Sequence, residues 1–480
     1  MGKHRTSPVT PAFWLLFGLI FLFPGKGEAA SFFQTSLSRF SQQAGLVALD
    51  IVSIPDGRIL LESNAQKPLV PASLVKVLTT YAALKSLGPH HRFETIVYSD
   101  QGLQGDTLPG NIWIKSKGDM FFTGEKAWKT AHRLKALGIE RIGGDLVVDN
   151  HYFAPSVERI CIDEHCSRAY NPIISGTALD FNTITFTAVP GAMAGEPARV
   201  TWFPRGKYVH MKNESRTVRG RPGENLHLRS LGVEKDGREQ FQLSGEMSLS
   251  SQEPWEFTMN VQNPPAFFGH SFKEILRETG VRVQGEVRAG TVPPHARPLV
   301  VHESEPLGDL LFGLNRFSNN FMAEMLLRTL GAQVYGEPGT REKGLRVLEA
   351  HLLGMNIPPS QFSIASGSGL SRTCRASPRV FSNVLLDLHH DFHNGPEFIA
   401  SLAMNGHDGT LRRRLRGSPV VLRAKTGSLR DVVAFSGYVH APGQGLFAVT
   451  VLLNDVKNSW EAREALYYFL QELPYRLNEP

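Results

Sequence analysis

The chain has 480 residues, 41% hydrophobic and 20% charged, with 51 Lys and Arg against 45 Asp and Glu for a formal charge of +6. That length predicts about two to four domains and ample apolar material for a large core. A charge excess this small over a large surface gives no basis for a nucleic-acid partner. Neither paired C-x-x-C nor H-E-x-x-H spacing offers a metal site, so no metal or other cofactor is expected. His389, His390 and His393 read as a polar helix end running into a loop.

The chain opens with Lys3 and Arg5, then the apolar run Ala12 to Phe23, the breaker Pro24-Gly25 and the small-residue stretch Gly27-Glu28-Ala29. This is the pattern of a secretory signal over residues 1–29, with an uncleaved N-terminal anchor as the alternative. The run is short for a membrane span, and nothing later is long and apolar enough to be one. The rest of the chain is therefore expected to be exported, into the periplasm or cell-wall space. Export would permit a disulfide between Cys161 and Cys166 and leave Cys374 unpaired; two free thiols are the alternative.

Residues 31–43 predict an amphipathic helix presenting Phe32, Phe33, Leu37 and Phe40. A hairpin follows, Leu46 to Val52 and Ile59 to Leu61 around the turn Pro55-Asp56-Gly57. Next comes Pro71-Ala72-Ser73-Leu74-Val75-Lys76 and an apolar run to Leu84, closed by Gly88-Pro89. Such a run predicts a helix buried nearly all round. On a helix, three-residue spacing puts Ser73 and Lys76 on one face. Burial lowers an amine's pKa, and a neutral lysine beside a serine is a base beside a nucleophile.

Residues 91–184 alternate signals for strands (Phe93 to Tyr98, Gly110 to Ser116, Gly144 to Asp149) with one for a helix (Glu125 to Leu137), an α/β pattern. Residues 185–264 carry short strand signals such as Ala198 to Phe203, and read as a β-rich module. Its basic stretch 205–221 reads as a solvated face, with an anionic wall polymer or membrane surface as the alternative partner. Phe267 to Thr279 predicts a helix and Val281 to Val287 a strand. Helices are then expected at Leu307 to Leu314, Asn319 to Leu330 and Arg341 to Leu353. Strands follow at Val420 to Lys425, Val432 to His440 and Leu446 to Leu453. A last helix, Trp460 to Leu473, has Trp460, Tyr467, Phe469 and Leu470 to bury. Packing on the sheet is preferred to a membrane foot, because Arg463 is its only basic residue among three glutamates.

Two further stretches carry chemistry. Ser318-Asn319-Asn320 offers a hydroxyl and a carboxamide between two helices, or simply a helix N-cap. Lys425-Thr426-Gly427-Ser428 offers a cation and a hydroxyl on a strand whose glycine lets a substrate backbone lie alongside; a protected edge strand is the alternative. Each is common by chance. Together, in the order S-x-x-K, S-x-N, K-T-G, they are the motif set of penicillin-binding proteins and serine β-lactamases.

Ser73 and Ser318 are separated by 245 positions, more than a β-lactamase needs. The chain resembles the class C, low-molecular-mass penicillin-binding proteins, which are D-alanyl-D-alanine carboxypeptidases/endopeptidases. Supporting stretches are PASLVKVLTTYAALKSLG, GGDLVVDNHYF, AYNPIISGTALDFNTITF, SNNFMAEMLLR, GSGLSR and GTLRRRL. The resemblance implies an α/β (α+β) fold: a β-lactamase/transpeptidase-like domain, an antiparallel sheet flanked by helices, with two inserted domains. The catalytic domain is expected over 30–90 and 297–480, an inserted α/β domain over 91–184 and 265–296, and a nested β-rich domain over 185–264. The Ser73 helix should then pack mainly against residues beyond about 297.

The resemblance further implies that Ser73 attacks the penultimate D-alanine and that Lys76 is its general base. Ser318 and Asn320 would relay a proton to the leaving amine and bind the peptide. Lys425 and Thr426 would hold the terminal carboxylate beside Gly427, with the Lys425 charge helping to keep Lys76 neutral. The backbone N–H groups of Ser73 and Ser428 would form the oxyanion hole. Arg372, Asp163 or Glu164, and Tyr170 are the positions expected to meet the stem-peptide side chain. Peptidoglycan stem peptides are the implied substrates and β-lactams the implied inhibitors, with peripheral membrane or wall association a further expectation. The rival functions are a β-lactamase and a wall-binding protein with a dead site. Three positions depart from the family's pattern: Met120 for a usual proline, Asn319 for a frequent aspartate, and Ser366 for the aspartate that usually opens the glycine-rich stretch.

Overall fold

The computed structural model describes residues 28–154, 160–220 and 225–477. Most of the signal sequence read over residues 1–29, and Arg221 of the basic stretch, lie outside them.

The chain closes on itself to build its main sheet. Six antiparallel strands run in the order Ala403–Met404, Val421–Leu429, Val432–Ala441, Gly445–Val456, Ala44–Ser53, Ile59–Ser63. The N-terminal hairpin thus completes a sheet begun by the C-terminal ribbon, with Asp50 opposite Thr450. The strand Gly445–Val456 is buried almost continuously from Phe447 to Asn454 rather than alternately. Both faces are covered along this central strand, so neither set of its side chains meets water between Phe447 and Asn454.

On one face, the helix Val75–Leu87 packs against helices Leu307–Arg316, Asn320–Tyr335, Arg341–Gly354 and Pro378–His390, all from beyond residue 297. The other face carries Glu28–Gln43 and Ser459–Leu477, where Phe40 and Phe32 pack on Phe469 at 5.5 and 5.8 Å between ring centroids. Trp460 does not join them. It is 64% exposed at the first turn of its helix, while Leu466, Phe469, Leu470 and Leu473 bury.

A second sheet orders Val287–Ala289, Leu146–Asp149, Ile112–Ser116, Glu94–Ser99 and Arg297–Glu303, with helices Gly124–Ala136 and Pro264–Glu278 packed on it. Two expectations need correction. Arg297–Glu303, assigned from sequence to the catalytic part, pairs with Glu94–Ser99 and forms an edge of this sheet. The single strand expected over Val281 to Val287 is two pieces, Arg282–Val283 and Val287–Ala289, in different sheets. Between them Gly285 lies so close to Gly144 that a Cβ would stand 2.5 Å from its carbonyl oxygen, and the chain steps from one sheet to the other there.

The β-rich stretch forms two three-stranded sheets. It shares a core with the second sheet's helices: Phe186, Phe241 and Tyr208 bury together with Phe267, Phe268 and Phe272. Met120, Tyr152 and Phe153 bury instead in the core beneath the main sheet, with Val75 to Leu84 and the helices beyond Leu307. Phe181 lies 5.7 Å from Phe121 and 5.9 Å from Phe321 between ring centroids, linking the insert to the Asn320 helix. Met120, which stands where a proline is usual, fills this seam.

Candidate active site

Pro71 leads into a single 3-10 turn, Ala72–Leu74, that runs directly into the helix Val75–Leu87. Ala72 sits at φ 49°, a left-handed conformation costly for a residue with a Cβ. The surrounding contacts enforce it. A Cβ on Gly369 would lie 1.9 Å from the Ala72 oxygen, and one on Gly427 would lie 2.7 Å from the Pro71 oxygen. The glycine-rich stretch and the K-T-G strand therefore clamp the Ser73 turn from two sides, and only glycine fits at either point.

Residues 75 to 84 are all buried, Lys76 among them. Its Nζ lies 3.0 Å from Ser73 Oγ, 2.7 Å from Asn320 Oδ1 and 2.7 Å from the Ser368 carbonyl oxygen. The last two are acceptors only. A neutral amine satisfies both with its two N–H groups and leaves a lone pair toward the Ser73 hydroxyl. Burial is the main force holding the Lys76 pKa well below the ordinary lysine value. The Lys425 charge adds to the depression and Glu324 opposes it.

In Ser318-Asn319-Asn320 the three residues divide their work. Asn319 caps the helix Asn320–Tyr335, its side chain accepting from Met322 N at 3.0 Å. An aspartate would cap equally well. The helix-cap alternative thus applies to the middle residue, and the flanking Ser318 and Asn320 line the cleft. Ser318 reaches it from φ 57°. Asn320 donates its Nδ2 to the Tyr170 carbonyl oxygen at 2.7 Å, which fixes its carboxamide with Oδ1 toward Lys76.

Lys425 is fully buried on the strand Val421–Leu429 and donates to the Thr426 carbonyl oxygen at 2.7 Å. Burial brings its pKa down from 10.5 to about 7. The Thr426 hydroxyl donates to Thr410 Oγ1 at 2.8 Å.

Ser73, Ser318, Asn320 and Ser428 face a cleft of about 680 Å³. Asp163, Glu164, Tyr170 and Arg372 lie on its rim. The Cys161–Cys166 disulfide is present and closes the loop that carries Asp163. The Asp163 carboxylate accepts from the Tyr170 hydroxyl, which holds its pKa below the usual range, and from Asn171 Nδ2 at 3.0 Å. Arg372 pairs with Asp431 at 2.8 Å. Of the side chains expected to recognise a substrate side chain, Asp163, Tyr170 and Arg372 thus already hold partners within the protein. Ser366, in place of the usual aspartate, accepts the Gly369 N–H at 3.0 Å and so closes the turn.

Three residues that the motifs did not indicate complete the surroundings. Glu324 and Ser368 lie behind Lys76, and Asp431 behind Arg372. Glu324 had one signal, a Glu and an Arg four residues apart inside an apolar helix. Ser368 contributes a backbone carbonyl, which no side-chain pattern could reveal.

A serine on a helix-leading turn, a buried lysine against it and a K-T-G strand alongside describe a serine acyl-transferring hydrolase of the penicillin-recognising class. The chain belongs to the D-Ala-D-Ala carboxypeptidase 3 (S13) family, whose sequence model matches residues 35–473. It is 31% identical over 435 residues to a D-alanyl-D-alanine carboxypeptidase of Actinomadura sp. (strain R39), covering 86% of this chain and 77% of that one. It is 26% identical over 399 residues to D-alanyl-D-alanine carboxypeptidase DacB of Haemophilus influenzae, covering 81% of each. The fold is similar to that of penicillin binding protein 4 (dacB) from Haemophilus influenzae, with a TM-score of 0.77, 23% identity and coverage of 93% and 99% of the two chains.

Proposed function

We propose that this enzyme cleaves D-alanyl-D-alanine-type bonds in peptidoglycan stem peptides through an acyl-enzyme on Ser73. The observation that carries the reading is the Lys76 amine, buried, depressed in pKa and 3.0 Å from the Ser73 hydroxyl. Lys76 takes the hydroxyl proton as Ser73 Oγ attacks the carbonyl carbon of the penultimate D-alanine. The backbone N–H groups of Ser73 and Ser428 receive the oxyanion; losing such a donor typically costs about 100–1000-fold in rate. Ser318 passes a proton to the leaving amine, and Asn320 holds both the lysine and the peptide. As the terminal D-alanine departs, water enters and hydrolyses the ester. The substrate carboxylate binds at the Lys425–Thr426 end. With a pKa of about 7, Lys425 is readily protonated as that negative charge arrives. β-Lactams, which mimic the D-Ala-D-Ala terminus, acylate the same oxygen.

The rim residues Asp163, Tyr170 and Arg372 are proposed to contact the stem-peptide side chain, Arg372 by exchanging its Asp431 partner for substrate. The enzyme is proposed to work outside the cytoplasm. The Lys3/Arg5 and apolar 12–23 pattern and the Cys161–Cys166 disulfide support this. Pentapeptide muropeptides and purified cross-linked dimers, analysed by chromatography and mass spectrometry, test the function and divide carboxypeptidase from endopeptidase action. Release of D-alanine or of monomers by wild type, and none by Ser73→Ala, is expected. No product from either substrate would contradict the reading.

A further inference from the structure

We propose that Glu324 is a positioning residue for the acylation step, acting through the Gly367-Ser368-Gly369 segment to hold the Lys76 amine against Ser73. The inference rests on the reading of Ser73 and Lys76 as nucleophile and base. Glu324 is fully buried on the helix Asn320–Tyr335, one turn beyond Asn320. One carboxylate oxygen accepts both the backbone N–H of Ser368, at 2.9 Å, and its hydroxyl, at 2.7 Å. The other accepts from Arg328 at 3.1 Å. The Ser368 carbonyl in turn accepts from Lys76 Nζ at 2.7 Å.

The same helix therefore grips the lysine twice, directly through Asn320 and indirectly through Glu324 and Ser368. The segment has no slack. A Cβ on Gly367 would lie 2.6 Å from the Ala323 oxygen, and one on Gly369 would lie 1.9 Å from the Ala72 oxygen. Thr79, one turn beyond Lys76, fastens it from below by donating to the Gly367 carbonyl oxygen at 2.7 Å. A purely structural ion pair needs only Arg328. The second carboxylate oxygen is committed to the residue whose carbonyl orients the base. The Glu324 charge also acts against the depression of Lys76 by burial and by Lys425.

The test is the second-order rate of acylation by a fluorescent penicillin, measured from pH 5 to 9. Glu324→Gln is expected to lower the plateau rate about 10–100-fold, the range of a misplaced catalytic group. It is also expected to move the acid limb about one unit toward lower pH, because the charge that favours protonated Lys76 is gone. The double variant Glu324→Gln/Arg328→Gln leaves no unpaired guanidinium and should show a smaller pH shift of the same sign with the same loss of plateau rate. An unchanged profile, or a loss that follows only the unfolded fraction by near-ultraviolet circular dichroism, overturns the proposal. Should neither variant fold, Ser368→Ala decides. A slowed rate at wild-type melting temperature supports the proposal, and a wild-type rate refutes it. If wild type itself is not acylated, the proposed function falls; if wild type reacts and the variants keep its profile, only the role of Glu324 falls.

Discussion

Lys425 is a charge placed where the fold alone would not put one, and Lys425→Met should expose that cost. The amine is fully buried, its pKa is brought from 10.5 to about 7, and its one hydrogen bond is to the Thr426 carbonyl. At about 1.36 kcal/mol per unit, the depression corresponds to at most about 5 kcal/mol. The folded pKa lies below the unfolded one, so between pH 7 and 10.5 the unfolded chain binds more protons. Stability therefore rises with pH across that window, and the whole penalty is present below pH 7. Methionine keeps an unbranched side chain, one atom shorter, and removes the charge, giving up a hydrogen bond worth about 1 kcal/mol. The net gain at pH 6 is therefore at most about 4 kcal/mol. For a unit of this size it should raise the melting temperature on the order of 10 °C. At pH 10 the two proteins should melt nearly together. Acylation should slow by about 100-fold or more, since the cation for the substrate carboxylate is lost and Lys76 loses a charge that keeps it neutral. Melting curves at pH 6, 8 and 10 with penicillin labelling of the same samples are the assay. A variant that melts below wild type at pH 6, with the same dependence on pH, would refute the reasoning.

Other substitutions probe separate parts of the frame. Gly369→Ala puts a side chain at φ 75° and 1.9 Å from the Ala72 oxygen, so it should abolish penicillin labelling and lower the melting temperature by labelled-gel and calorimetric assay. Cys161→Ser/Cys166→Ser frees the loop that leads to the Tyr170 carbonyl beside Asn320. Steady-state kinetics should show a several-fold higher KM for a stem peptide at little change in melting temperature. Arg379→Ala strands buried Asp50, which Arg379 holds at 2.7 Å, and should cost about 3–5 kcal/mol at pH 7 in denaturant unfolding. Burial already raises the Asp50 pKa, so the loss should shrink as pH falls and the carboxyl takes up a proton.

The sequence was most informative where local chemistry and local geometry coincide. The apolar run after Ser73, the glycine stop at Gly88 and the strand carrying Lys425 each announce one element, and each is found there. The three motifs were legible because they are side chains at fixed spacing. Long-range pairing was less so. Nothing in Arg297–Glu303 distinguishes a catalytic strand from an edge of the insert, because its partner Glu94–Ser99 is some two hundred positions away. The shared core of the β-rich stretch and the α/β insert escaped for the same reason: Phe241 and Phe267 are apolar in either arrangement. Trp460 is apolar enough to read as core, but its helix reaches the core only from Ala462 onward. In the site, Ser318, Asn319 and Asn320 are all good N-cap residues by type, and only the turn geometry makes Asn319 the cap. Arg372 read as a free recognition group because Asp431, its partner, comes from a turn fifty-nine residues on.

The central claim is that Ser73 becomes covalently acylated. Intact-mass spectrometry of the protein after benzylpenicillin, with the adduct mapped by proteolysis, tests it most directly. A single penicilloyl adduct on the peptide containing Ser73, absent from Ser73→Ala, is the predicted result. An unmodified wild-type mass, or an adduct on any other residue, would contradict the account.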